Sequence, residues 1–232
     1  MPSPNYIICL AHFCELHGPS TIVCTQVTTP QHKSDFLLPT TSKLQTCASC
    51  KLLLPDDSVN LESSNESVSY VTAQYPSCQS RYSSLSKLVM KTLSVETTAD
   101  SSKPVFFGDN VNGYCINRMF KISDINARGG ERKYSLMVVS DDEKELLLHW
   151  ETVSLFLNEL ISLIQEQVSI VVEEKRPATN SKSNGTSGNM FDNERYLRRS
   201  LVKPKSLIEL TNDNKLFVKL HLWAIEVLKH IQ

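Results

Sequence analysis

The side chains in this 232-residue chain that could do chemistry are cysteines, histidines and one glycine-flanked arginine. Cys47-Ala48-Ser49-Cys50 has the spacing of one half of a zinc clamp, with Cys14, His17, His32 and Cys78 as the nearest additional sulfur or imidazole candidates. A structural site needs four ligands, and a second tight pair is missing from the sequence. The expectation is two reduced thiols in a polar loop and no metal. A thioredoxin-like role would place the pair at a helix N-terminus, where the dipole lowers a thiol pKa, whereas this pair falls in a polar insertion. His12, Cys14, Glu15 and His17 could be assembled into a Cys-His nucleophile. Strand alternation, however, sends neighbouring side chains to opposite faces, and no orienting acid follows. No Gly-x-x-x-x-Gly-Lys or Gly-x-Gly-x-x-Gly is present to cradle a phosphate.

Arg128 lies in Asp124-Ile125-Asn126-Ala127-Arg128-Gly129-Gly130, a loop between two strand patterns. Such a loop projects a side chain outward, and a guanidinium offered to another protein's active site is what an arginine finger requires. On residue type alone, an exposed loop arginine is an ordinary surface group. Arg198-Arg199 with Lys203 and Lys205 makes a mildly basic cluster, which on its own suggests a solvated face.

Composition narrows the classes further. Lys and Arg number 24 against 25 Asp and Glu, for a net charge of −1, and no dense basic block occurs. That argues against a nucleic-acid groove and against an electrostatic membrane anchor. A hydrophobic content of 41% suits one well-buried domain plus loops. Met1 to Asn5 lack a basic n-region, and the apolar run after them is broken by His12 and Glu15, so neither a signal peptide nor a transmembrane segment is expected. Seven cysteines, an odd number, fit reduced thiols in a cytoplasmic protein. The sequons at Asn65 and Asn184 are then chance matches.

The elements that would position these groups follow from periodicity. Tyr6 to Phe13 and Ser20 to Thr25, joined through Gly18-Pro19, form a β-hairpin. Residues 28–69 have no sustained period and are expected to be an insertion loop. Tyr70 to Gln74 is a brief strand-like return, and Leu85, Leu88, Val89 and Leu93 share one helical face within 83–93. Pro104 to Gly108, Gly113 to Ser123 and Arg132 to Val139 make a three-stranded meander. A long second helix follows Asp141-Asp142-Glu143. Residues 177–189 have the composition of a disordered linker. A C-terminal helix over 213–231, with Asn212 or Asp213 as N-cap, packs Phe217, Leu220, Trp223, Val227 and Leu228 against the sheet. The whole chain, 1–232, is one α+β domain: a mainly antiparallel five-stranded sheet with helices on both faces.

Several segments carry a family resemblance. His12-Phe13-Cys14-Glu15-Leu16-His17-Gly18-Pro19, the Cys47 to Cys50 pair, Tyr70-Val71-x-x-Gln74-x-Pro76-Ser77, Phe106-Phe107-Gly108-Asp109, and Ala127-Arg128-Gly129 with Arg132 and Tyr134-Ser135 resemble the folliculin family in the same order, and Arg199-Ser200-Leu201 and Leu210 to His221 resemble the end of its longin region. The resemblance spans nearly the whole chain and looks like the short fungal folliculins, which lack the large DENN domain. It implies a longin domain that pairs with a folliculin-interacting-protein-like longin-DENN partner. It further implies a GTPase-activating complex for a Rag-family GTPase at the vacuolar or lysosomal surface, relaying amino-acid status to the target-of-rapamycin kinase complex. Arg128 matches the family's finger arginine, with Arg132 and Arg118 as substitutes if the loop register differs. No cofactor is implied, because the GTPase brings nucleotide, magnesium and water. The alternative is a non-catalytic longin scaffold for heterodimerisation and for GTPase or membrane-trafficking assembly.

Overall fold

The computed structural model describes residues 5–40, 46–94, 103–174 and 203–231. The linker expected at 177–189, and Arg198 and Arg199 with it, lie outside the described residues. Strand β1 (Ile7–Cys14) is buried at seven of its eight positions, because it lies mid-sheet with helices above and below. Its alternation sorts the core: Ile8 and Leu10 point to one face, Ile7, Cys9 and Ala11 to the other.

The other strands are β2 (Gly18–Thr28), β3 (Leu61–Ser64), β4 (Ser69–Ala73), β5 (Val105–Asp109), β6 (Gly113–Ser123) and β7 (Glu131–Ser140). All pair antiparallel in one seven-stranded sheet of order β3-β4-β2-β1-β7-β6-β5. The expected five strands are thus two too few: β4, which falls on the strand-like return expected at Tyr70 to Gln74, pairs with β2, and the unexpected β3 pairs with β4. Within the expected insertion loop, the four residues of β3 show no apolar run. Side chains stitch them in place: His221 Nε2 lies 2.9 Å from Ser63 Oγ, its Nδ1 lies 2.7 Å from Thr72 Oγ1, and Thr72 meets Thr25 at 2.6 Å. The same segment holds a 3-10 turn at Pro30–Phe36 and a clasp in which Leu38 N donates to Asn60 Oδ1 while Asn60 Nδ2 donates to Leu38 O.

Helix α1 (Gln79–Thr92), the one α-helix on its face of the sheet among the described residues, covers that face through Leu85, Leu88 and Val89, the i, i+3, i+4 stripe expected of an amphipathic helix. The core beneath it holds Cys9, Cys24 and Cys115, and Cys9 sits opposite Cys24 in the β1–β2 register. All three are wholly buried thiols, and burial pushes Cys9 up to about 12.

The opposite face carries α2 (Glu143–Leu148), α3 (Trp150–Glu174), α4 (Leu207–Thr211) and α5 (Leu216–Ile231). Asp142 caps α2 by accepting from Lys144 N and Glu145 N, and Ser206 with Glu209 forms a capping box on α4. The two residues expected as N-cap of the last helix take different parts. Asn212 closes α4 in a left-handed conformation (φ 52°), and Asp213 starts the turn into α5 by accepting from Lys215 N at 2.9 Å. Helix α3 is long and apolar enough to cross a bilayer by length and composition, but Val153, Leu157, Leu160, Ile161 and Ile164 on it are spent in the sheet core. Phe217, Leu220, Val227 and Leu228 of α5 are buried in the same core.

Candidate functional site

One end of the sheet gathers most of the residues that the sequence singled out. The β1–β2 turn, Glu15–His17, reverses at Gly18 (φ 77°), and the loop from β6 to β7 lies beside it. The two touch where Arg128 N donates to Glu15 Oε1 at 2.5 Å.

The β6–β7 loop is a braced turn. Asp124 N donates to Gly130 O (2.9 Å), Ala127 N to Asp124 O (2.8 Å) and Gly130 N to Ala127 O (3.0 Å). Gly129 and Gly130 both adopt φ 74°, a left-handed geometry that side-chain-bearing residues resist. The buried Asp124 carboxylate anchors the loop below. It accepts from Arg132 Nε (2.7 Å), Lys205 Nζ (3.1 Å) and the Asn126 amide (3.1 Å). Burial alone would raise its pKa, but those donors outweigh it and hold the carboxyl below its ordinary value. Arg128 is exposed at the tip beside Ile125, and its guanidinium makes no hydrogen bond or ion pair among the described residues.

The two substitute arginines are committed elsewhere. Arg118 donates to Asn158 Oδ1 at 2.6 Å across to α3. Arg132 is 7% exposed and spans Asp124, Ser49 Oγ and the Lys203 carbonyl. Lys205, expected on a solvated face, is drawn into the same network as the second cation on Asp124.

The cysteines of the expected polar loop are also in place. Cys50 and Ser49 are buried, the turn closes with Cys50 N donating to Cys47 O (3.1 Å), and Gln74 Nε2 holds the Cys50 carbonyl (3.0 Å). This turn meets Cys14 and His17, so the sulfur pair finds the partner pair that the sequence seemed to lack. Cys14 Sγ lies 3.6 Å from His17 Nδ1 and 3.5 Å from Cys47 Sγ, while Cys50 Sγ lies 3.4 Å from His17 Nδ1 and 3.6 Å from Cys47 Sγ. The neighbouring Cys50 thiol, supplemented by the Leu16 and His17 amides, holds the Cys14 thiol below its ordinary value. His12, buried against the Tyr134 ring, sets Nε2 3.2 Å from Cys50 Sγ, and burial lowers its pKa to about 4, so the imidazole is neutral. The signal available in the sequence was Cys14-x-x-His17, a mixed pair 33 residues from the cysteine pair.

A separate groove of about 660 Å³ lies between α3 and α5, lined by Leu163, Ile170, Leu216 and Trp223. It is more spacious than the cleft of about 340 Å³ beside His17 and Cys50, and Glu166, Gln167, Thr211, Asn212 and Lys219 line it beside those apolar side chains.

Fold and site together define an α+β sheet domain that presents an arginine-tipped turn above a cysteine-histidine cluster. A family profile for folliculin, described as a vesicle coat protein involved in Golgi to plasma membrane transport, matches residues 68–231. Protein LST7 of Saccharomyces cerevisiae is 31% identical over 229 residues, covering 94% of this chain and 92% of the yeast protein. Folliculin-like protein bhd1 of Schizosaccharomyces pombe is 35% identical over 128 residues, 49% of this chain and 35% of that protein. Folliculin of Homo sapiens is 26% identical over 259 residues, 94% of this chain and 44% of the human protein. The chain belongs to the folliculin family and fits its short fungal members. It spans nearly all of the Saccharomyces relative and under half the length of human folliculin.

Proposed function

We propose that this chain is a longin-type subunit that pairs with a folliculin-interacting-protein-like longin-DENN partner and activates GTP hydrolysis by a Rag-family GTPase, with Arg128 as the arginine finger. One observation carries this reading: the Arg128 guanidinium is exposed and unengaged among the described residues, on a loop whose backbone is held from within and by Glu15. Phosphoryl transfer is accelerated mainly by positioning and charge neutralisation, and a planar guanidinium on a fixed tip supplies both. In this scheme the GTPase brings nucleotide, magnesium and attacking water, and Arg128 meets the charge that develops on the transferring phosphoryl group. The complex would work in the cytoplasm, recruited to the vacuolar or lysosomal surface, in amino-acid signalling to the target-of-rapamycin kinase complex.

The test is single-turnover GTP hydrolysis by the Rag-type GTPase with this chain and its partner. Arg128→Ala should keep GTPase binding while stimulated hydrolysis falls by roughly a hundredfold or more, and Arg128→Lys should rescue poorly because an ammonium lacks the planar fork. Full stimulation by the Ala variant would move catalysis elsewhere.

A second reading, a non-catalytic longin scaffold, draws on the edge strand β5. Among the described residues no strand pairs with its outer side, and it carries the half-buried Phe106 and Phe107. The opposite edge, β3, is short and carries the Glu62–Lys33 ion pair, so β5 is the better seat for a partner's strand. Normal heterodimer assembly with no stimulation of hydrolysis by the wild type would select this reading.

A further inference from the structure

We propose that Cys14, His17, Cys47 and Cys50 form a structural zinc site joining the β1–β2 turn to the 47–50 turn. Their four ligand atoms lie within 4.8 Å of one another, and the four closest separations run from 3.4 to 3.6 Å. Zinc bonds of about 2.3 Å to sulfur and 2.0 to 2.1 Å to nitrogen, set at tetrahedral angles, place ligand atoms roughly 3.5 to 3.8 Å apart. Four of the six separations therefore lie close to those of ligands sharing one ion, and the other two are within 4.8 Å. They are too long for a disulfide, whose sulfurs lie about 2.05 Å apart.

Three sulfurs and one imidazole form a soft, closed set, the chemistry of a structural zinc rather than of magnesium, calcium or an open catalytic site. Both pairs have two-residue spacing on tight turns, the form in which zinc ribbons and knuckles supply ligands.

The surroundings are those of a metal site as well. On binding, the thiols release protons to solvent and coordinate as thiolates, so three of them around Zn²⁺ leave one negative charge. The His12 ring nitrogen beside Cys50 Sγ can donate to that sulfur, and the Arg132 guanidinium reaches Ser49 inside the Cys47–Cys50 turn. Gln74 fixes the Cys50 carbonyl, so the turn is oriented from behind. His17 is exposed and Cys47 half-exposed, which gives the ion a way in. Glu15, between two of the ligands, accepts from the Arg128 amide, so the ion would brace the β6–β7 loop whatever that loop's task.

The experiment uses the full chain, purified under reducing conditions with zinc supplied. Metal analysis should give about one equivalent of zinc per chain. Titrating the thiols with a mercurial should release it, and exchange with cobalt(II) should give the intense visible bands of a tetrahedral sulfur-rich site. Cys14→Ser and Cys47→Ser should each drop zinc below about a tenth of an equivalent, whereas Cys78→Ser, an exposed thiol outside the cluster, should retain it. If the ligand variants do not fold, the wild-type stoichiometry and cobalt spectrum decide the matter alone. Wild-type protein that takes up no zinc, a weak octahedral cobalt spectrum, or equal loss in Cys78→Ser would each overturn the proposal.

Discussion

The two hairpin loops of the β5–β6–β7 meander both begin with an aspartate and end with a left-handed glycine, yet they are held in different ways. In the β5–β6 loop, Asp109 accepts, among the described residues, only from its neighbours, Val111 N (2.9 Å) and Asn112 N (2.7 Å) together with the Asn112 side chain. In the β6–β7 loop, Asp124 reaches Arg132 eight residues on and Lys205 81 residues on. The first loop is a local turn that any antiparallel pair could carry. The second is bolted to remote parts of the chain, and its tip has Ile125 84% exposed beside Arg128. A local turn closes a hairpin, whereas a loop anchored from afar can hold a side chain at a fixed place for a partner.

Removing the anchors should show the largest difference. Asp124→Ala strands two cations in or near the core and should cost about 3 kcal/mol in denaturant unfolding, the low end for a broken buried pair because Lys205 is 29% exposed. Asp109→Ala, on a solvated turn, should leave the unfolding midpoint nearly unchanged. Equal losses would erase the contrast.

Acid should separate the loops next. Both carboxyls are held below their ordinary value, Asp109 by the Asn112 side chain and amide, Asp124 by donors that overcome its burial. A carboxyl depressed in the folded state stabilises above its unfolded value, near 3.9, and that stability is lost as pH falls through the folded value. Stability measured from about pH 5 to about pH 3 should therefore fall less steeply in Asp124→Asn than in the wild type. Asp109→Asn should flatten the slope less than Asp124→Asn does, since water screens the charge of a fully solvated carboxylate.

The smallest expected effects lie at the glycines. A Cβ on Gly130 meets nothing within 4 Å, so Gly130→Ala should cost only the left-handed penalty of about 1 kcal/mol. At Gly113 (φ 90°) the same Cβ would also come within 3.0 Å of the Ser140 carbonyl, and Gly113→Ala should therefore be the worse substitution by thermal unfolding. The reverse order would show that the β6–β7 loop cannot tolerate even an unobstructed change in its backbone.

Strands with a strong apolar pattern were legible in the sequence. β6 runs from Gly113 to Ser123, as its alternation and bounding turns imply, and β7 exceeds its expected span by a residue at each end. β3 was not legible, because its place depends on Ser63 meeting His221, 158 residues away. The cysteine site was half legible. Strand alternation separates Cys14 from His17 only while the strand continues, and the chain leaves β1 at Cys14 and turns through Glu15 to His17. Once alternation ends, a spacing of three brings both ligands to one side of the turn. Arg128 could be placed on its loop from the glycines beside it, but the remote anchoring of that loop through Lys205 has no local signature.

The three wholly buried thiols under α1 have a further consequence. Cys9, Cys24 and Cys115 are sealed beneath the helix, and burial raises all three above the ordinary thiol range, so none can react while the sheet is covered. They form a built-in clock: an alkylating reagent should modify Cys78 at once, and these three only as often as α1 lifts from the sheet or the whole domain opens. Their labelling rate thus reads the lifetime of the closed sheet residue by residue, without any introduced probe.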